Sequence, residues 1–290
     1  MIVRGQSGLG PVIGDSLAER SPASMMNLEF AQLSDRGRVR EQNEDHVGSV
    51  IPKVEAQART HGWLFALADG VGGHRDGEVA SRLAVESVCA GFRSASAHEL
   101  HRALLPRLIQ NANTAVLEAA TEAGKSGPGM ATTLVACALR SDRAVVCHVG
   151  DSRCYLVRRS HAELLTRDHT VTNDQIRIGL LSKREAARSP MQHMLSRSLG
   201  GDLFVAVDVS EHPLLPGDVL LLCSDGLHGA VPQTEIELII SDNHDLSVAA
   251  KELVASANQR DGSDNISVQL IRIRTIERMG MYRGRPYQLV

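Results

Sequence analysis

Four aspartates occur where apolar runs of the sequence begin or end. Asp69 follows LFALA, Asp151 follows VVCHVG, Asp225 follows VLLLCS, and Asp264 precedes NISVQL. A strand end is rigid, so it can hold a carboxylate in a fixed position. Carboxylates gathered together repel one another, and a hard divalent cation relieves that repulsion. The pattern predicts a metal site, and its oxygen-only ligands favour Mg²⁺ or Mn²⁺ over Zn²⁺.

A simpler interpretation exists for two of these aspartates. Asp69 and Asp225 are each followed by glycine, and Asp-Gly pairs are common in turns. Glycine also lets the backbone come close to an ion or a substrate. The acidic segment Asn43-Glu44-Asp45 adds carboxylates to the set and favours the metal-site interpretation.

Other catalytic chemistries lack their motifs. The twelve histidines include no HExxH pair, no GxSxG elbow occurs, and the glycines of residues 70–73 lack the Lys-Ser/Thr of a P-loop. His148 alternates with apolar neighbours and is expected in a core strand. The five cysteines have no CxxC spacing, so we expect small core residues, with no cysteine in a CxxxxxR phosphate-binding loop.

The elements that must position these residues come in blocks. Apolar runs predict strands over 28–33, 62–68, 132–139, 144–149, 155–157, 204–209, 219–223 and 266–273, and helical spacing predicts helices over 76–95, 98–123, 234–240 and 246–258. The run 62–68 is followed by Asp69-Gly70, which indicates a turn. Blocks of strands and helices favour antiparallel sheets with helices outside over a doubly wound parallel sheet.

Composition limits the classes that need consideration. The chain has 290 residues with 43% apolar content, which suits one large domain with a substantial core. We predict a domain over 27–274, with a flexible N-terminal tail over 1–26 and a C-terminal tail over 275–290. A net charge of −3 argues against nucleic acid, and no apolar run is long enough to cross a membrane. Cysteines without a disulfide framework favour a reducing cytoplasm.

Seven short motifs in order resemble the bacterial type 2C (PPM) metal-dependent protein serine/threonine phosphatases. The resemblance covers roughly residues 27–273. The motifs are SDRGRVREQNED at 34–45, ADGVGGH at 68–74, GMATT at 129–133, VGDSR at 149–153, LTRDH at 165–169, SDGL at 224–227 and DNIS at 264–267.

The resemblance implies an α+β fold, an antiparallel β-sandwich flanked by helices on both sides, with a flap subdomain at about 167–200 beside the cleft. It also implies two to three Mn²⁺ or Mg²⁺ ions. The implied metal ligands are Asp69 as a bridge, the carbonyl of Gly70, Asp225 and Asp264, with Asp151 and Asp225 at a third ion. Glu44 and Asp45 are expected to act through metal-bound waters, and Arg40 to clamp the substrate phosphate.

The implied activity is hydrolysis of phosphoserine and phosphothreonine by a metal-activated water, with no covalent enzyme intermediate. Val71 replaces the histidine that eukaryotic relatives place after Asp-Gly, and we expect His74 to brace the turn, with a metal-bound water as proton donor. The expected partners are phosphoproteins made by a Ser/Thr kinase, and a monomer is expected. Two alternatives remain open: an inactive phosphatase-like binding module, or a phosphatase of a dedicated regulatory partner or small molecule.

Overall fold

The computed structural model describes residues 25–71, 76–122, 130–186, 188–282 and 285–289. In chain order the elements are β1 (Met25–Asp35), β2 (Asp45–Val50), α1 (Glu55–Thr60), β3 (Trp63–Val71), α2 (Gly77–Arg93), α3 (His101–Glu122), β4 (Ala131–Thr132), β5 (Leu134–Arg140), β6 (Arg143–Val149), β7 (Arg153–Arg158), β8 (His161–Leu164), α4 (Val171–Arg177), α5 (Lys183–Ala186), β9 (Asp208–Pro213), β10 (Val219–Cys223), α6 (Asp225–His228), α7 (Gln233–Asp242), α8 (Leu246–Arg260), β11 (Ile266–Tyr282) and β12 (Arg285–Leu289).

These strands form two sheets with antiparallel pairing throughout. One sheet has the order β1-β11-β10-β7-β8, with β12 on β11, and the other has the order β2-β3-β5-β6-β9, with β4 on β3. The central strands β5 and β10 are buried along almost their whole length. Such strands are continuous apolar runs because both of their faces are covered.

Three layers of apolar side chains hold the sheets and helices together. Phe65 of β3 and Leu220 and Leu222 of β10 lie between the sheets. Because side chains alternate along a strand, their neighbours face outward. Leu64 packs in the cluster under α2 and α3, and Leu221 packs in the cluster under α7 and α8. The predicted sandwich flanked by helices on both sides is confirmed.

Strand β3 is longer than the sequence predicts. The expected turn at Asp69-Gly70 is wrong, because β3 continues to Val71. Asp69 pairs with Asp45 of β2, and Gly70 pairs with Thr132 of β4. Hydrogen bonds from both neighbours therefore carry the strand beyond its last apolar residue and fix Asp69 within the sheet.

The strand predicted over 204–209 is also wrong in its bounds, since the strand here is β9. Phe204 is 83% exposed, so its apolar character does not mark a buried strand. The side chain of Gln110 on α3 donates to the carbonyl of Leu203 and accepts from the amide of Val205. A side chain of α3 thus replaces the ladder bonds that a strand would need.

The strand that begins at Ile266 does not end at Ile273 as predicted. Strand β11 stays paired with β1 up to Glu277, which lies opposite Met25. Ile276 packs against the core between the sheets. Strand β1 itself begins two residues before the predicted start of the domain. Residues 1–24 of the predicted N-terminal tail lie outside the described residues.

The predicted flap segment contains two short helices, α4 and α5, between β8 and β9. Thr170 caps α4 by accepting a hydrogen bond from the amide of Asn173. Isolated bridges pair Thr170 with Leu195 and Thr132 with Leu199. The second bridge joins the end of the segment to β4, beside the strand that carries Asp69.

Candidate metal centre

The predicted metal-binding aspartates meet at one end of the sandwich. Asp69 near the end of β3 lies opposite Asp45 at the start of β2. Asp225 follows β10 and Asp264 precedes β11, and these strands are paired so that both residues lie at the same end. Asp151 follows β6, whose last residue pairs with the first residue of β5 beside β3. Five carboxylates from distant parts of the sequence thus converge.

Burial and mutual repulsion raise the pKa values of these carboxyl groups. For Asp69, burial is the largest cause, and the charges of Asp45, Asp225, Asp151 and Asp264 add to it, so its pKa lies well above the usual range. Burial is also the main reason why the pKa values of Asp45 and Asp151 rise to about 7. Burial first and then the charge of Asp264 raise the pKa of Asp225. The cluster resists full ionisation at neutral pH unless a cation joins it.

Two carboxylate oxygens of the cluster indicate that a cation fits the site. Oδ1 of Asp45 and Oδ1 of Asp225 are buried and have no hydrogen-bond partner in the described part of the chain. A buried carboxylate oxygen left in this way is costly unless it binds a donor or an ion. The donor set consists of hard oxygens, which suits Mg²⁺ or Mn²⁺. The residues present therefore fit the implied metal ions.

Two threonines of the GMATT motif fix the backbone of Asp69, a role that the sequence did not indicate. The amide of Asp69 donates to Oγ1 of Thr133 at 2.9 Å, and its carbonyl accepts from Oγ1 of Thr132 at 2.7 Å. Thr133 Oγ1 in turn lies 2.7 Å from Oγ of Ser152, next to Asp151. Two serines support Asp45 in the same way, since Ser224 Oγ donates to its Oδ2 at 2.7 Å and is itself bonded by the amide of Ser267.

Asn265 connects the first motif to the last. Its Oδ1 accepts from the amide of Glu44 at 2.8 Å, and its Nδ2 donates to the carbonyls of Arg36 and Gln42. The loop before β2 is therefore held against the loop that carries Asp264. Sequence reasoning missed this residue's role, although its place directly after a candidate ligand was the available signal.

Two glycines permit close approach at the centre. A Cβ on Gly70 would lie 2.3 Å from the carbonyl oxygen of Gly77 at the start of α2 and 2.8 Å from that of Glu44. A Cβ on Gly226 would lie 2.1 Å from the carbonyl oxygen of Asn265. Each glycine follows a candidate metal ligand, so the Asp-Gly pairs serve tight packing around the site.

Arg40 and Glu44 lie at the rim. The Arg40 side chain is 44% exposed and its Nη2 donates to Oδ2 of Asp264 at 2.8 Å. The Glu44 carboxyl group lies against the first residue of α2, and burial raises its pKa. An exposed guanidinium next to the carboxylates is suitably placed to meet an incoming anion.

Three further polar residues surround Asp151. Arg153 makes two hydrogen bonds to Asp168, at 2.9 and 2.6 Å. His228 Nε2 donates to the carbonyl oxygen of Asp151 at 3.0 Å, and burial lowers the pKa of this histidine to about 4. The neutral ring fixes the backbone of Asp151. Sequence reasoning did not single out these three residues, although each lies in or next to a quoted motif.

A second group of metal-type ligands, His148, His169 and Asp208, lies at the base of the flap segment. The two rings are stacked with centroids 4.6 Å apart. Arg197 and Arg167 both bond to Asp208, so cationic charge is already supplied to this carboxylate. The amide of Gly150 donates to Nδ1 of His169, which joins the group to the residue before Asp151. We interpret it as a structural anchor, and His148 is a buried strand residue as expected.

Two of the cysteines have the CxxxxxR spacing, from Cys137 to Arg143 and from Cys147 to Arg153. Both cysteines lie in strands and are fully buried, and burial raises the pKa of Cys147 to about 12. Neither forms a phosphate-binding loop. His74, which we expected to brace a turn, lies outside the described residues.

Comparison with known sequences gives a specific match. The sequence profile of the family described as protein phosphatase 2C matches residues 40–270 of this chain. The chain is 38% identical over 263 residues to the serine/threonine phosphatase stp of Listeria welshimeri, covering 90% of this chain and 99% of that protein.

Solved structures agree with that match. The serine/threonine phosphatase of S. agalactiae superposes with a TM-score of 0.78 at 32% identity, covering 86% of this chain and 100% of the other. The catalytic domain of the serine/threonine protein phosphatase PstP, solved with 2 manganese ions, gives a TM-score of 0.72 at 31% identity and covers 86% of this chain and 99% of its own.

Proposed function

The chain belongs to the protein phosphatase 2C family and is a metal-dependent protein serine/threonine phosphatase, and on that premise we propose which of its residues form the catalytic centre. Asp69, the Gly70 carbonyl, Asp225 and Asp264 hold the core metal ions. Asp151 holds a further ion together with Asp225. Three observations support this assignment: the convergence of these residues at one end of the sandwich, the raised pKa of Asp69, and the two unpartnered oxygens of Asp45 and Asp225 within the described residues.

The ions are two to three Mn²⁺ or Mg²⁺. The 2 manganese ions of the similar PstP catalytic domain support manganese at the core. When bound, such ions act as Lewis acids on phosphoryl oxygens and make a coordinated water a stronger nucleophile. Glu44 and Asp45 would contribute by accepting hydrogen bonds from waters that bound ions hold. Ser224 orients Asp45 for this role through its 2.7 Å hydrogen bond.

Arg40 binds the substrate phosphate. One of its N–H groups is bonded to Asp264, which aims the planar guanidinium along the rim of the centre. The remaining N–H groups can form two hydrogen bonds to phosphate oxygens, a geometry that arginine provides and lysine does not. The positive charge stabilises the phosphoryl oxygens as the ester bond breaks.

The substrates are phosphoproteins, and we propose that a Ser/Thr kinase makes them. None of the helices in the described residues is long and apolar enough to cross a membrane. The five cysteines carry free, buried thiols, which supports a reducing, cytoplasmic location. We propose that the enzyme acts as a monomer.

Phosphate release from a phosphothreonine peptide tests this assignment. Wild-type protein with added Mn²⁺ should release phosphate, and chelation by EDTA should abolish release until Mn²⁺ is restored. Asp69→Ala and Asp225→Ala should each lose roughly two orders of magnitude or more in rate, because each removes a ligand of the assembly that activates water. Full turnover after chelation and desalting would contradict the metal assignment, and a wild-type rate in either variant would remove that residue from the site.

A further inference from the structure

A cavity of about 570 Å³ opens between the loop after β2 and the end of α2. Its apolar walls include Val50, Ile51 and Pro52, and its basic side chains are Lys53 and Arg93. The volume is within the range of small-molecule sites, roughly 300–1,000 Å³. The cavity has the size and the mixed lining of a ligand site.

The cavity is remote from the metal centre. Strand β2 starts at Asp45 in the centre and ends at Val50 beside the cavity. Helix α2 starts at Gly77, against Glu44, and its 17 residues end at Arg93, a length of roughly 25 Å. A molecule bound here would leave the carboxylate cluster accessible.

The charge of the cavity is positive. Lys53 and Arg93 form no ion pair within the described parts of the chain, and the described lining includes no carboxylate. On the adjoining helices, Glu55 bonds to Arg59 and Glu86 to Arg82, so each of these carboxylates has a cation of its own. Glu78 lies in the first turn of α2, at the end of the helix away from the cavity.

Two other contributions are smaller. The carboxyl end of α2 offers about half a negative charge, which is less than the two cations supply. His61 is a wall rather than a free donor, because its ring nitrogens are bonded to Thr60 Oγ1 and to the carbonyl of Ala95.

We infer that this cavity binds a small organic anion, with its phosphate, sulfonate or carboxylate group between Lys53 and Arg93 and its apolar part against Val50, Ile51 and Pro52. The cationic pair supplies charge for the anion, and the three apolar walls favour a ligand with a ring or chain over a bare inorganic ion. This site is additional to the catalytic centre and does not depend on its assignment.

The test uses the metal-loaded enzyme and 8-anilinonaphthalene-1-sulfonate, an aromatic sulfonate that the enzyme cannot hydrolyse. Trp63 is the single tryptophan and follows Gly62, which lines the cavity. Probe bound here should quench Trp63 emission by energy transfer, and calorimetry should give one probe per chain. Lys53→Glu combined with Arg93→Glu should weaken binding by about a hundredfold, since two charge-assisted contacts are lost.

Several controls make the result specific. Lys251→Glu with Arg159→Glu, two exposed cations elsewhere on the surface, should leave the probe's affinity unchanged. N-phenyl-1-naphthylamine, which lacks the sulfonate, should bind more weakly. If the charge-reversed protein fails to fold, Lys53→Gln with Arg93→Gln should still weaken binding at least about tenfold. Equal probe affinity in the folded cavity variant, or equal affinity for the neutral probe, would overturn the proposal.

Discussion

Asp45 and Asp69 face one another across the β2–β3 pair, where Asp45 is buried and Asp69 is half-buried, and the charge of Asp225 acts on both. Burial is the main reason why the pKa of Asp45 rises to about 7, although the Ser224 hydroxyl donates a hydrogen bond that lowers it. Burial and like charge therefore outweigh this favourable contact. A protein retains such an arrangement when a ligand compensates it, and a divalent cation does so by replacing the protons.

Metal binding should consequently release protons. The raised carboxyl pKa values mean that protons compete with Mn²⁺ below pH 7, so Mn²⁺ affinity should rise as pH increases from 6 to 8. Calorimetry in buffers of different ionisation enthalpy measures the protons released. Asp45→Asn should release fewer protons at pH 6.5 than wild type. An affinity independent of pH over this range would show that these carboxyls are already ionised in the free protein.

Arg40 supports a separate prediction at the same scale. Arg40→Ala should raise KM for a phosphopeptide more than it changes Mn²⁺ affinity, because a charged hydrogen bond to phosphate contributes on the order of 1.5–3 kcal/mol. Arg40→Lys should recover only part of the loss, since lysine keeps the charge without the planar fork. Steady-state kinetics at saturating Mn²⁺ give both constants. An unchanged KM and rate would mean that Arg40 does not contact substrate.

At the scale of elements, the site depends on loops that touch. Gly226 follows Asp225 and meets the carbonyl of Asn265, next to Asp264. This contact sets the spacing between two candidate ligands that lie 39 positions apart in the sequence (264 − 225). No other residue type fits there without moving one of the loops.

Gly226→Ala should therefore both destabilise the fold and weaken Mn²⁺ binding. Its Cβ would lie 2.1 Å from a backbone oxygen, and overpacking of this kind costs typically about 1–3 kcal/mol. Gly201→Ala is the matched control, because its nearest contact would be the Ser198 side chain at 3.6 Å. Urea unfolding and Mn²⁺ titration check both effects. Wild-type values for Gly226→Ala would show that the two loops are free to separate.

The elements also show where sequence reasoning works. Strands such as β5 and β10 were predictable because both faces are apolar, and α2 because its apolar residues recur at helical spacing. Strand β2 was missed because its residues are only half-buried beyond Asp45, and 204–209 was misread because Phe204 is exposed. The local pattern of apolar residues predicts which residues are buried. Where a strand ends depends instead on hydrogen-bond partners that lie far away in the sequence.

At the scale of the whole molecule, the sequence indicated the aspartates, and the motif order indicated their convergence. The sequence could not indicate the hydrogen bonds that connect one motif to another across the fold. Asn265 bonds to Glu44, and His169 bonds to Gly150, through contacts that only the packed sheets create. These residues lie in the quoted motifs, but the motifs do not name their partners, because the topology of the sandwich sets which residues meet.

The packed molecule should also be sensitive to acid through His101. This histidine is 6% exposed, its Nε2 donates to the carbonyl of His61, and burial lowers its pKa from 6.5 to about 4. The unfolded chain takes up the proton first as pH falls. The contribution of neutral His101 to the free energy of unfolding is thus fully present above pH 6.5. It is lost as pH falls toward 4, a change of about 3 kcal/mol.

His101→Gln, which keeps a donor but does not titrate, should lose less stability than wild type between pH 7 and pH 4. Urea unfolding at each pH measures the difference. His244→Gln, at an exposed position, should follow the wild-type curve. Parallel pH profiles for wild type and His101→Gln would show that His101 does not contribute to acid sensitivity.

The most direct test of the metal assignment is a calorimetric Mn²⁺ titration of chelated wild type, Asp69→Asn and Asp151→Asn. Asp69 lies at the middle of the carboxylate cluster, whereas Asp151 is coupled mainly to Asp225. We predict that Asp69→Asn loses tight Mn²⁺ binding, while Asp151→Asn keeps the tight ions, loses a weaker one, and turns over slowly or at higher Mn²⁺. Tight binding unchanged in Asp69→Asn, or abolished in Asp151→Asn, would contradict the account.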